Sequence, residues 1–230
     1  MPRPIVIAHR GASLKAPENT IKAYSKAINF GVEMIELDVH MTHDNQLVCI
    51  HDRDLSRTTD GTGLINELTL EEIQSFDAGD GEVVPTLDDV LLLCKDRIMV
   101  DIELKEIDIE KDVLSVVEKY NMLDKVIFSS FYHGSLLVLK QLSASCKTAI
   151  LMSKPIEDLI GYAKSIQANA INPKLDLLDS SLAELLHSAC FQIYPWTVNT
   201  ESDATRLLSF GVDGLITDNP ELMKRIIAYF

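Results

Sequence analysis

Ile98-Met99-Val100-Asp101-Ile102-Glu103-Leu104 is followed, after an amphipathic stretch, by Val126-Ile127-Phe128-Ser129-Ser130 and, after another, by Thr148-Ala149-Ile150-Leu151-Met152. Each run is short, apolar or β-branched, and reads as a strand. Further strands are predicted at 170–172, 192–198 and 215–217. The intervening segments have helical period and predict helices at 110–120, 134–142, 156–167, 180–188, 201–209 and 220–228. In the first of these, Val113, Val116, Val117 and Tyr120 fall at i, i+3, i+4 and i+7, which places them on one helix face. Strands alternating with helices build βαβ units, and hence a parallel sheet.

The same rhythm extends towards the N-terminus. A strand is expected at 5–8, a helix at 19–29 and a strand at 34–40. A hairpin return at 46–51 would follow the polar turn Asp44-Asn45, and a helix at 87–94 precedes the 98–104 strand. The main strands number eight, each followed by a helix. That favours an α/β fold of the closed TIM-type (β/α)₈ barrel class over an open doubly wound sheet, in one domain over 1–230. An internal echo supports repetition: Phe30-Gly31-Val32-Glu33 and Phe210-Gly211-Val212-Asp213 each lead from a helix into a strand. Residues 52–85 break the rhythm. They are polar, punctuated by Gly61, Gly63, Gly79 and Gly81, and carry one helical piece near 69–75 with Thr69 and Glu72 as a capping box. They read as a small insertion after strand two.

Composition narrows the function. Apolar residues make up 47%, enough for a sizeable core, and 35 acidic against 21 basic residues give a net charge of −14. Nucleic acids and anionic membranes both call for a basic patch, so neither is an expected partner. A phosphate substrate would need local cations: a metal, or a few placed Arg and Lys. Cys49, Cys94, Cys146 and Cys190 have no zinc-ligand or redox spacing and read as small buried hydrophobes with free thiols. With no targeting segment or membrane span in view, a cytoplasmic location is expected.

Chemistry gathers at strand ends, where barrels of this kind place it. Glu36 and Asp38 share a face of strand two, with His40 in phase if the strand continues. Asp101, Glu103 and Lys105 share a face of strand three. Carboxylates crowded on inner barrel strands repel unless a cation sits among them, and all-oxygen ligands favour Mg²⁺ or Ca²⁺. His9 and His51 each end an apolar run beside this cluster, the pattern of a general acid and base. His43, His133 and His187 read as structural or surface residues.

The ordered motifs resemble the glycerophosphodiester phosphodiesterase family. They are His9-Arg10-Gly11-Ala12, Pro17-Glu18-Asn19-Thr20, Glu36-Leu37-Asp38-Val39, His51-Asp52, Thr58-Thr59-Asp60-Gly61-Thr62-Gly63, Pro85-Thr86-Leu87, Glu103-Leu104-Lys105, Trp196-Thr197-Val198-Asn199 and the run from Gly211 to Pro220. The resemblance implies a TIM barrel with an insertion after strand two. It implies Glu36, Asp38 and Glu103 as metal ligands, His9 and His51 as the acid/base pair, and Arg10 and Lys105 at the phosphate. Trp196 would pack on substrate, although a lone Trp in a strand flanked by Tyr194 and Val198 reads equally as core. The implied reaction is metal-dependent hydrolysis of glycerophosphodiesters to glycerol 3-phosphate and an alcohol. Attack by the tethered glycerol 2-hydroxyl, giving a cyclic phosphate, fits that chemistry. The competing readings are a lysophospholipase D-like enzyme, a non-catalytic phosphodiester-binding barrel and a metal-dependent aldolase. The first needs an apolar groove, and the acidic composition gives no sign of one. The alcohol, the choice of metal and the oligomeric state are left open.

Overall fold

The structure is a computed structural model that describes residues 3–230. Strands and helices alternate along the chain. The strands are β1 (Ile5–Ala8), β2 (Met34–Met41), β3 (Leu47–Cys49), β4 (Met99–Leu104), β5 (Val126–Ser130), β6 (Lys147–Met152), β7 (Ala170–Pro173), β8 (Gln192–Ile193) and β9 (Gly214–Thr217). The α-helices are α1 (Ile21–Asn29), α2 (Leu70–Gln74), α3 (Leu87–Cys94), α4 (Glu110–Lys119), α5 (His133–Leu142), α6 (Leu159–Ser165), α7 (Ser180–Ser188), α8 (Glu201–Ser209) and α9 (Pro220–Ile227).

Eight strands pair in parallel in the order β8-β7-β6-β5-β4-β2-β1-β9. The ring is nearly closed: Asp213 N–H donates to Ile193 O at 3.1 Å and Ile216 N–H to Pro195 O at 3.0 Å, joining β8 to β9. The expected hairpin return is β3, antiparallel on β2 with Val39 opposite Cys49. The eighth barrel strand is shorter than the 192–198 run suggests. Pro195 has no N–H for a ladder. Past Ile193 only separate bonds remain, such as Trp196 N–H to Pro173 O at 3.0 Å.

Strand alternation sorts side chains into two cores. Outward residues such as Ile35, Leu37, Val100, Ile102 and Leu104 pack under the helices, in the same apolar cluster as Val90, Val113, Val117 and Leu207. Inward residues Ile7, Met34, Ile127, Ala149, Ala170, Tyr194 and Ile216 form an apolar floor at one end of the barrel. Two residues further along their strands, the inward positions become polar: Glu36, Asp101, Ser129 and Asn172, all buried. Polar chemistry thus sits on top of an apolar plug, at the C-terminal ends of the strands. Val198 belongs to the outer cluster while Tyr194 is inside, so the two residues flanking Trp196 do not share a face.

The echoed Phe-Gly-Val-acid segments play matching roles. Gly31 (φ 71°) and Gly211 (φ 80°) turn the chain out of α1 and α8 in the left-handed conformation that glycine adopts at least cost. Two residues on, Glu33 accepts the Val6 N–H and Asp213 the Ile193 N–H, each at 2.9 Å, tying the next strand to its neighbour. The insertion is compact: α2 and two 3₁₀ turns, Leu55–Arg57 and Ile65–Glu67, fold over Val48, Ile50, Leu55, Ile65, Ile73 and Val84. The Thr69/Glu72 capping box is present. Cys49, Cys94 and Cys146 are buried free thiols, whereas Cys190 is exposed. It lies just past α7 at φ 65°, where the chain turns at the surface instead of entering the core. Among the described residues, no helix is long and apolar enough to cross a membrane.

Candidate active site

β2 and β4 lie side by side in register, with Glu36 opposite Asp101 and Asp38 opposite Glu103. This pairing turns two alternating sequence patterns into one buried acidic cluster. Glu36, Asp38 and Glu103 each present an oxygen, and all three oxygens lie within 4.8 Å of one another. Burial, reinforced by the charges of Asp38 and Glu103, raises the Glu36 carboxyl well above its usual range. Burial and Asp38 likewise push Glu103 up to about 7, and burial pushes Asp101 up to about 7. Asp38 goes the other way: although burial opposes its charge, Lys105 and Arg10 hold it below the usual carboxylate range. Neither Asp38 Oδ1 nor Arg10 Nε has a hydrogen bond among the described residues. Close, buried, mutually repelling oxygens with acceptor capacity to spare fit a hard divalent cation.

Two cations border the cluster. Arg10 Nε lies 3.2 Å from Asp38 Oδ2, and the Arg10 backbone N–H donates to Glu36 Oε2 at 2.8 Å. Lys105 Nζ donates to Glu103 Oε1 at 2.7 Å and lies 3.3 Å from Asp38 Oδ1. Burial works against both charges, but the surrounding carboxylates, Asp38 foremost, raise both pKa values. Asp38 is also held from behind: Asn19 Nδ2 donates to its Oδ2 at 2.8 Å, and Tyr24 Oη donates to Asn19 Oδ1 at 2.7 Å.

The two candidate histidines have the same arrangement. His9, one residue beyond β1, has Nδ1 2.6 Å from Asp218 Oδ1, and Asp218 also accepts from Ser13 at 3.1 Å and Asn199 at 2.6 Å. His51 has Nδ1 2.5 Å from Asp52 Oδ1, and Asp52 in turn accepts from Arg57 Nε at 2.5 Å. In both, a carboxylate fixes one ring nitrogen and leaves Nε2 for the cleft. Burial, together with Lys105 and Arg10, lowers the His51 pKa, while Asp38 and the Asp52 hydrogen bond pull it upward. Hydrogen bonding to Arg57 holds Asp52 down at about 2. His40 is in phase with Glu36 and Asp38 but buried. Its Nδ1 pairs with Glu106 and its Nε2 lies 3.1 Å from His51 O, so it braces the His51 backbone. His133 and His187 are engaged elsewhere, with Tyr162 at 2.9 Å and Asp213 at 3.2 Å, and His43 is exposed.

All eight residues singled out from the sequence fall at one rim. His9, Arg10, Glu36, His51, Glu103, Lys105 and Trp196 line an inner cavity of about 120 Å³, and Asp38 lies buried beside it. Trp196 is half-buried at its mouth. Its indole N–H donates to Asn172 O at 2.7 Å, and its ring meets Phe131 edge-on at 5.7 Å. The supporting residues Asp218, Asn199, Arg57 and Glu106 had no assigned role in the sequence, nor had Glu18, which accepts from Arg10 and from Arg57, each at 2.8 Å. Asp218 and Asn199 stood inside recognisable motifs, but only the closed ring brings β9 against β1 and thereby Asp218 against His9.

The comparisons agree with this geometry. The model of the Glycerophosphoryl diester phosphodiesterase family matches residues 9–222. The chain is 37% identical over 236 residues to a glycerophosphodiester phosphodiesterase of Caldanaerobacter subterraneus, covering 97% of both chains. It is 36% identical over 237 residues to one of Bacillus altitudinis, covering 96% of this chain and 97% of the other. An Oleispira antarctica phosphodiesterase, solved in complex with the product sn-glycerol-3-phosphate, superposes with a TM-score of 0.90 at 28% identity, over 98% of this chain and 97% of the other. The Thermotoga maritima glycerophosphodiester phosphodiesterase gives a TM-score of 0.85 at 29% identity, over 97% and 98%. A nearly closed parallel barrel carrying this rim, matched along almost its whole length, places the chain in the glycerophosphoryl diester phosphodiesterase family.

Proposed function

We propose that this protein hydrolyses glycerophosphodiesters to glycerol 3-phosphate and an alcohol, using Mg²⁺ or Ca²⁺ at Glu36, Asp38 and Glu103 and an acid/base pair of His9 and His51. One observation carries the reading. Two imidazoles, each with Nδ1 held by a carboxylate, open onto the same cavity as a three-carboxylate cluster. The product held by the similar Oleispira antarctica phosphodiesterase supports the choice of substrate. The whole chain acts as one domain, with residues 52–85 contributing His51's partners.

A divalent ion held by Glu36, Asp38 and Glu103 would supply Lewis-acid polarisation of the substrate. Arg10 and Lys105, both partly buried beside the acids, neutralise the remaining phosphate charge and orient the diester. The glycerol 2-hydroxyl is adjacent to the esterified oxygen, and alignment of a tethered nucleophile is worth roughly 7–11 kcal/mol. One imidazole takes the hydroxyl proton at Nε2, and the other gives a proton to the departing alcohol. Asp218 and Asp52 hold the ring tautomers and stabilise the imidazolium forms. Water then opens the cyclic phosphate with the two roles exchanged. Trp196 and Phe131 close one side of the cavity and limit water.

The test is a glycerophosphodiester in which the 2-hydroxyl is replaced by hydrogen. It should bind yet turn over at least 10³-fold more slowly than the parent, on the order of what losing an aligned nucleophile implies. Turnover near the parent rate would show direct attack by water.

A further inference from the structure

The inner cavity opens outward on the His51 side. It shares His51, Glu103, Lys105 and Phe131 with a second cavity of about 490 Å³, and that one shares Arg53 and Tyr132 with a third of about 490 Å³. The outer walls come from the insertion (Arg53, Leu64, Asn66) and from the loops after β4 (Ile107) and β5 (Tyr132). Leu64, Ile107, Phe131 and Tyr132 stand 41%, 58%, 42% and 41% exposed along this path. A contiguous row of exposed apolar side chains leading from a reactive site is seldom without a use. The charged groups of the wall lie mainly on the His51 side, where Asp52 pairs with His51 and Arg57, and Glu103 with Lys105. Further out, Arg53 donates to Tyr132 Oη at 2.9 Å and Glu106 pairs with His40, beside the apolar Leu64 and Ile107.

The groove is much larger than the space a glycerol phosphate needs around the acidic cluster. At its outer end Leu64 and Ile107, both exposed, offer no hydrogen bond to a hydrated alcohol but do offer contact to a hydrocarbon chain. We infer that the groove from His51 to Ile107 is a subsite for an apolar alkyl group carried by the phosphodiester, so that the enzyme favours glycerophosphodiesters bearing a hydrocarbon chain over those of small polar alcohols. The inference rests on the phosphodiesterase reading above and deepens it. It also bears on where the chain is attached. With His51 as the imidazole that protonates the departing alcohol, the groove beside it receives an alkyl group on that alcohol; with His9 in that role, it receives a chain on the glycerol 1-hydroxyl.

The experiment has two arms. In the first, kcat/KM is measured for glycerophosphodiesters of ethanol, butanol, hexanol and octanol, and for a glycerophosphoethanol acylated at the 1-hydroxyl. In the second, Kd is measured for n-alkyl phosphates of the same lengths through the fluorescence of Trp196, the single tryptophan. Each added methylene should raise kcat/KM and tighten Kd by about two- to fourfold until the groove is filled, the range a partly to fully buried CH₂ gives. Leu64→Glu and Ile107→Glu should flatten both dependences, and Ile107→Leu should keep them. Normal turnover of the ethanol diester with no chain-length response in either arm would overturn the subsite and leave the activity standing. Chain-dependent Kd without any turnover would uphold the subsite and overturn the activity. A gain confined to the 1-acyl substrate would uphold the subsite with the chain on the glycerol 1-hydroxyl.

Discussion

His9 and His51 are equivalent in local chemistry but not in surroundings, and substitutions should show both facts. His9→Ala and His51→Ala should each lower kcat by about 10²–10⁴, the range for a positioned acid or base. His133→Ala and His187→Ala should leave steady-state rates nearly unchanged, since neither ring lines the inner cavity: His133 bonds Tyr162 Oη and the Leu151 carbonyl, and His187 bonds Asp213. Equal losses at all four positions would show that structural histidines had been mistaken for catalytic ones. Asp52 gives a sharper test. Its hydrogen bond favours the protonated His51 ring, against burial and the nearby Lys105 and Arg10. Removing it in Asp52→Asn should lower the His51 pKa further. The limb of the kcat/KM–pH profile belonging to His51 should therefore move to lower pH. A shift towards higher pH would mean that Asp52 does not act on His51 as described.

At the scale of elements, the pairing of β2 with β4 is what concentrates acid in the barrel, and it has a thermodynamic signature. Without a cation, Glu36 and Glu103 have folded-state pKa values raised above those of the unfolded chain. A raised carboxyl favours the folded state below its unfolded pKa, near 4.5, and loses that contribution as pH rises through its folded value, about 7 for Glu103. A divalent ion binds the deprotonated oxygens, so its stabilising effect should grow over the same interval. The difference in Tm between protein in excess Ca²⁺ or Mg²⁺ and protein in chelator should be small at pH 5 and largest near pH 8. Glu36→Gln, which removes one of the repelling charges, should leave the Tm in chelator equal to or above that of the wild type and abolish the response to the ion. A Tm difference that is flat with pH, or an ion response retained in Glu36→Gln, would rule out this cluster as the ligand set.

At the scale of the whole molecule, the barrel was legible because its cause is local. Each βα unit repeats the switch from period 2 to period 3.6, and each strand end puts its polar residues on one rim. Glu36 with Asp38, and Asp101 with Glu103, could be placed on shared faces from phase alone because strands alternate faces strictly, but joining the two sets takes the β2–β4 register. Contacts that depend on ring closure were out of reach. Asp218 meets His9 only because β9 returns to β1. His40 looks like a site residue by phase, but Glu106 and His51 O, from other segments, occupy its ring nitrogens. The apolar groove was missed for the same reason. Leu64, Ile107 and Tyr132 are scattered in sequence, and an overall charge of −14 masks a local apolar row. The span of the eighth strand failed on one residue, Pro195.

If metal held by the β2–β4 carboxylates supports phosphodiester hydrolysis, release of glycerol 3-phosphate must depend on that metal. Purified protein is incubated with glycerophosphocholine or glycerophosphoethanolamine in Mg²⁺, in Ca²⁺ and in excess chelator, and glycerol 3-phosphate is quantified enzymatically. We expect release with at least one of the two ions, loss of release in chelator with recovery on adding the ion back, and release reduced by at least 10²-fold in Asp38→Asn, the range removal of an electrostatic contact at a reacting centre commonly gives. Undiminished release in chelator, or none with either ion, would contradict the account.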